Sequence, residues 1–251
     1  MKRIYIILIS YLFTIVTVNS QTFEFKNYTG YPIDTIAKKL VTEVLLGGGV
    51  EAFNCKFKGG YLSNAKAIGY FTKNTGYGKP NGIPIEQGIL LSSGAIEYAL
   101  GPNNDPGKSY GYGNPGDALL DNMVYPNPAY DAAVLEFDFI PTSDTIEFRY
   151  VFGSEEFPEF VGMGYNDVFG FFISGDACGG GKYNNVNLAK LPNGNVVTID
   201  NLYSTPYYIN NPAGGQYVQY DGFSTILTAK TCVIPCHTYH IKMAIEDVGD
   251  D

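Results

Sequence analysis

Across 251 residues, 25 Asp and Glu side chains outweigh 16 Lys and Arg, for a net charge of -9. Such a surface repels nucleic-acid phosphates and anionic lipid, so nucleic acid is excluded as a partner. With 21 Tyr, 16 Phe, 30 Gly, 14 Pro and no Trp, the chain has strand and turn formers but few good helix formers, which argues against a helical bundle and for a β-sandwich.

The first residues read as an export signal: Lys2 and Arg3, an apolar run over 4–18, then Val18, Asn19 and Ser20, with small or short residues at the positions that direct cleavage. Cleavage is expected after Ser20, leaving 21–251 as a single domain at the cell surface or beyond. No later stretch approaches the roughly 20 apolar residues of a spanning helix, so the mature chain is expected to have no membrane span.

Residues 34–46 carry the one convincing helix. Ile33, Ile36, Ala37, Leu40, Val41, Val44 and Leu45 follow the helical period, Asp34 can cap the start, and glycines 47–49 end it. Strand and turn patterns follow. Phe53, Cys55 and Phe57 alternate, 67–71 is apolar, and 88–91 is a short buried run closed by Ser92, Ser93 and Gly94. Residues 101–131 have no clear period and are rich in Pro, Gly and Asn. A segment of this kind is either a meandering loop whose Tyr110, Tyr112, Tyr125 and Tyr130 pack on the sheet, or a ligand-contacting one. Tyr112, Tyr125, Asp117 and, from a later turn, Asp221 are the candidate ligand contacts, because tyrosine offers a flat apolar face with a polar tip.

Leu135, Phe137 and Phe139 then alternate with Glu136 and Asp138, and a five-residue loop joins this strand to a second one carrying Ile146, Phe148, Tyr150 and Phe152. The pair predicts an antiparallel hairpin with its aromatics on one sheet face. An acidic loop with Glu155, Glu156, Glu159 and Asp167 leads into 168–173, apolar almost throughout and expected to be a central strand covered on both faces. Further strand patterns lie at 196–199, 217–220 and 223–228. The last pattern sets Tyr239, Ile241, Met243 and Ile245 against His240, Lys242, Ala244 and Glu246.

Four cysteines in an exported chain allow three full pairings. The preferred local bridge is Cys232 with Cys236, leaving Cys55 with Cys178. Zinc held by Cys232, Cys236, His237 and His240 is the alternative, although C-x3-C with H-x2-H is not a regular structural-zinc spacing.

Calcium is the candidate cofactor, since hard cations take six to eight oxygens at flexible spacing. One possible ligand set is Glu155, Glu156, Asn166 and Asp167. The other is Glu246, Asp247, Asp250 and Asp251, and Asp121 or Asp221 could complete either. Neither has the spacing of an EF-hand loop. Catalysis is not expected. Adjacent Glu155 and Glu156 point to opposite faces if they lie in a strand, so they could not face each other across a glycosidic bond, and the two histidines offer a triad no convincing base.

Read together, YDAAVLEFDFIP, FRYVFGSEEFPEF, YNDVFGFFISG, QYDGFSTILTAK and PCHTYHIKMAIEDVGDD, with IGYF and GILLSSG before them, closely resemble the choice-of-anchor L domain. The resemblance runs from the first helix to the last residue. It implies a β-rich, exported bacterial surface protein, typically of Bacteroidetes-type organisms, without an assigned catalytic activity. It also implies a chain that continues beyond Asp251 toward an anchor. The expectation is therefore a two-layer antiparallel β-sandwich, of jelly-roll or related type with one N-terminal helix, acting in adhesion or in binding an extracellular glycan or protein. A calcium-dependent carbohydrate-binding domain is the second reading and a secreted hydrolase the third.

Overall fold

The computed structural model describes residues 24–26, 30–46, 50–62, 66–72 and 76–249. The expected export signal, glycines 47–49, Asp250 and Asp251 lie outside the described residues. The chain opens with β1 (Glu24–Lys26) and α1 (Ile33–Lys39), and α1 runs on into a π-helical stretch, Leu40–Leu45. Ile36, Ala37, Leu40 and Val41 are buried, the stripe expected from their spacing. Pro32 precedes the first turn and no side chain caps it; Asp34 sits one residue inside, where the helix dipole favours a negative charge. Then come β2 (Glu51–Lys58), β3 (Ile68–Thr72), β4 (Gly88–Leu91), a 3₁₀ turn at Ile96–Ala99, α2 (Ala118–Val124), β5 (Ala129–Ile140), β6 (Thr145–Tyr150) and β7 (Gly153–Ser154). The remainder is β8 (Val168–Asp176), β9 (Lys182–Asn187), β10 (Val197–Thr198), α3 (Ile199–Tyr203), β11 (Tyr208–Asn210), β12 (Gly222–Ser224), β13 (Leu227–Cys232) and β14 (Tyr239–Val248).

Every strand pairing among the described residues is antiparallel. The large sheet runs β10-β8-β14-β5-β2 with β9 also on β8, and smaller sheets are β1-β3-β4, β11-β12-β7 and β13-β6. Alternation along the strands divides the large sheet into two faces. Leu135, Phe137, Phe139, Phe171, Ile173, Tyr239 and Ile241 point to the inner one and are buried against residues of the smaller sheets, among them Ile68, Ile146, Leu227 and Ala229. This is the sandwich core. On the outer face Val134, Val168, Phe172 and Ala244 pack under Leu120 and Val124 of α2. β8 is therefore covered on both sides, as its unbroken apolar run predicts.

The expected hairpin does not form. β5 pairs with β14 and β2, while β6 pairs with β13. Both edges of β5 are occupied, so the chain after Ile140 crosses to the other layer, and the aromatics of β6 face the large sheet across the core. Phe148 meets Phe171 at 4.8 Å between ring centroids and Tyr150 meets Phe169 at 5.1 Å. Period 2 reports that a strand has an apolar face; it does not report which neighbour lies beside it. The helices α2 and α3, only seven and five residues long, are too short to set a clear period in the sequence.

The disulfide differs from expectation as well. Cys178 is bonded to Cys232, their Cα atoms 6.1 Å apart, while Cys55 is buried and free and Cys236 exposed and free. Cys232 ends β13 and Cys178 lies in the turn after β8, so the bridge ties the two layers together. Cys236 sits at φ 66 in the turn before β14, where its amide donates to Pro141 O at 3.0 Å. The zinc alternative is dispersed too: His237 Nδ1 lies 2.9 Å from Asp176 and His240 Nδ1 2.7 Å from Asp138.

Candidate functional site

The inner face of the large sheet is not sealed along its whole length. Phe148, Tyr150, Phe169, Met243, Ile245, Ile89 and Leu91 are only half-buried, while their neighbours Leu135, Phe171, Ile173 and Ile241 are buried. The difference marks a cavity of about 430 Å³ between the layers. Its floor is the half-buried Phe169, Met243 and Ile245 with the buried Leu135 and Phe171 beneath them; its walls are β4 on one side and β6 with β7 on the other. Tyr98, Lys108 and Tyr110 meet in its lining, with the Lys108 ammonium 4.9 Å above the Tyr98 ring centre. The other charged residues that line it are Glu147, Arg149, Glu155, Glu156, Asp167 and Asp247.

The carboxylates arrive there for local reasons. Glu155 and Glu156 follow β7, Asp167 precedes β8 and Asp247 lies near the end of β14, so three elements deliver them to one rim. Asp167 is fixed by the Ser154 hydroxyl, which donates to its Oδ2 at 2.8 Å, and by the Val248 amide at 3.2 Å. Glu155 Oε2 accepts the Asp221 amide at 3.1 Å, and its Oε1 is buried with no hydrogen-bond partner among the described residues. Burial, reinforced by the nearby Asp221 carboxylate, pushes the Glu155 carboxyl up to about 8. At neutral pH Glu155 is then largely protonated, able to donate as well as accept a hydrogen bond.

Of the candidate ligand contacts, Asp221 is structural: it is buried, and Asn103 Nδ2 donates to its Oδ1 at 2.6 Å and to Asn211 O at 2.7 Å. Asp117 caps α2 by accepting the Leu119 amide and pairs with Lys242 Nζ at 2.6 Å, on the outer face. Tyr112 is half-buried beside Gly60, its loop held by Asp131, whose carboxylate accepts the amides of Tyr112, Gly113 and Asn114. Tyr125 is 84% exposed at the end of α2. These four do not form one site. The loop 101–131 is organised instead by Asn103 and Asp131, buried polar residues whose role cannot be seen without knowing what they face.

The expected calcium ligands divide likewise. Glu155, Glu156, Asp167 and Asp247 share the cavity rim, whereas Asn166 Oδ1 accepts the Asp200 amide and Asp121 belongs to the outer-face cluster around Glu246. Asp250 lies outside the described residues. Among the described residues, no group of three or more His, Cys, Asp or Glu is arranged to hold a metal ion. Glu246 is fully buried; its Oε2 accepts the Asp117 amide at 2.7 Å and its Oε1 has no partner among the described residues. Burial first, then Asp121 and Asp117, raise its carboxyl to about 8. Glycine at 116 is required by this crowding, since a Cβ there would stand 2.6 Å from Asp121 Oδ1 and 2.9 Å from Ala129 O.

Fold and disulfide together define a bridged, all-β sandwich domain of the kind that persists outside the reducing cytosol. The chain belongs to the choice-of-anchor L domain family, which matches residues 27–251, and is a surface-associated domain on that account. Comparisons with curated proteins and with solved structures return no match. No helix among the described residues is long and apolar enough to cross a membrane.

Proposed function

We propose that the chain is exported by the leader at residues 1–20 and acts at the cell surface as a non-catalytic binding module, in adhesion or ligand capture. Its binding site is the cavity between the layers. The observation that carries this reading is the cavity's chemistry: an apolar trough open to solvent, lined by the five carboxylates of Glu147, Glu155, Glu156, Asp167 and Asp247 against two cations, Lys108 and Arg149. Concave, mostly apolar sites with a few placed polar groups are where ligands bind. A cleft with an excess of one sign of charge draws the opposite sign from solution. The favoured ligand is therefore apolar along most of its length and cationic, or rich in hydrogen-bond donors, at one end.

Thermal unfolding with n-octylamine and n-octanoate tests this. Octylamine is expected to raise the melting temperature in a concentration-dependent way, as any ligand selective for the folded state does, and octanoate to leave it unchanged. An equal response to both, or to neither, contradicts the reading.

A further inference from the structure

The cavity walls have an unusual composition. On one side every residue from 87 to 93 lines the space, and on the other every residue from 147 to 154. Successive side chains of a strand point to opposite faces, so a cavity lying against a sheet face meets every second residue. Two unbroken runs mean that the space is bounded by strand edges, where the peptide groups are. The pairing agrees: among the described residues β4 is hydrogen-bonded to β3 alone and β6 to β13 alone. Each therefore turns one unpaired edge toward the space. The two edges flank a gap in the second layer of the sandwich, above an apolar floor supplied by the first.

We infer that the gap is a strand-binding slot, and that its occupant is an extended segment of a partner polypeptide laid between β4 and β6. This deepens the preceding proposal and rests on its reading of the cavity as the binding site. A polypeptide fits where a glycan or a lipid does not, because only an extended backbone offers amides and carbonyls on both sides at the strand repeat. Six residues of β6 set the paired length at about 20 Å. Alternate side chains of the guest reach the half-buried Phe169, Met243 and Ile245 and must be apolar. The guest end that lies among Glu155, Glu156, Asp167 and Asp247 carries Lys, Arg or a free amino terminus. An open edge above an apolar floor is a template for strand addition, and the slot confines that addition to one guest.

Random nine-residue peptides displayed on phage are panned on the 251-residue chain and, in parallel, on Met243→Trp, whose indole fills the floor. The wild-type chain is expected to enrich alternating apolar and polar sequences with a basic end; the variant is expected not to. A synthetic copy of an enriched peptide is then compared with the same peptide N-methylated at alternate residues, which removes edge hydrogen bonds without changing the side chains. At least a tenfold loss of affinity is expected. Hydrogen exchange on the wild-type chain needs no variant and should show the bound peptide protecting amides of β4 and β6. The inference is overturned by any of four results: no enrichment, equal binding of the methylated peptide, a footprint elsewhere, or β4 and β6 amides already protected in the free chain by its own segment or a second copy. Octylamine binding without peptide enrichment would remove the strand guest and leave the cavity as a binding site; loss of both would remove both.

Discussion

Glu246 has no solvent contact and one carboxylate oxygen without a partner among the described residues, so its proton is held in the folded state well beyond the usual range. An unfolded chain releases that proton near 4.5, the folded one near 8. Between these values the native state binds more protons than the unfolded state, and stability falls as pH rises. This contribution is complete below pH 4.5, declines up to about 8, and is flat above it. Glu246→Gln keeps an acceptor for the Asp117 amide and removes the ionisation. The variant is expected to match the wild type at pH 4.5 and to exceed it by about 1–3 kcal/mol at pH 9, read from urea denaturation. Equal pH profiles for the two proteins would contradict the assignment. Cysteine chemistry gives a second test at this scale. Iodoacetamide on the folded chain should label Cys236, reach Cys55 only after unfolding, and reach Cys178 and Cys232 only after reduction. Reduction should cost about 4 kcal/mol by the chain-entropy estimate for a sequence separation of 54. The spacing of Cys232 and Cys236 suggested a local loop; the actual partner depends on where the β8 turn meets the end of β13, which spacing does not encode. Acidic residues were legible as a group but not by role, because Asp131 and Asp221 are hydrogen-bonded anchors while Glu155 and Asp247 line a cavity.

At the scale of elements, the alternation of β5, β6 and β14 and the continuous apolar run of β8 were readable, because burial imposes the strand period directly on sequence. Neighbour relations were not. A short loop between two amphipathic strands suits a hairpin, yet β5 already has β14 and β2 on its edges and β6 must cross the core. That crossing opens the gap beside β4. It also separates two aromatic residues that look equivalent in sequence. Phe171 is 2% exposed at the core centre, whereas Phe148, its ring partner, borders the open cavity. Phe171→Ala should cost about 3–5 kcal/mol, typical of a buried aromatic truncation. Phe148→Ala should cost less, about 1–2 kcal/mol, since part of its ring is already in contact with water. Equal losses in urea denaturation would mean that the cavity is closed in solution.

The whole molecule was legible in class: its family, its all-β architecture and its layered core follow from aromatic alternation, turn residues and long co-linear motifs. The slot was not, because a cavity is defined by residues that fail to meet, and no local pattern in 87–93 or 147–154 records that absence. The central claim is that an apolar trough between two unpaired strand edges stands open in the free protein. Amide hydrogen exchange of the unliganded chain, resolved along β4, β6 and β14, tests it most directly. The account predicts that edge-facing amides of β4 and β6 exchange at least a hundredfold faster than those of β14, which is paired on both sides. Protection of β4 and β6 equal to that of β14 would show the slot already filled and would contradict the account.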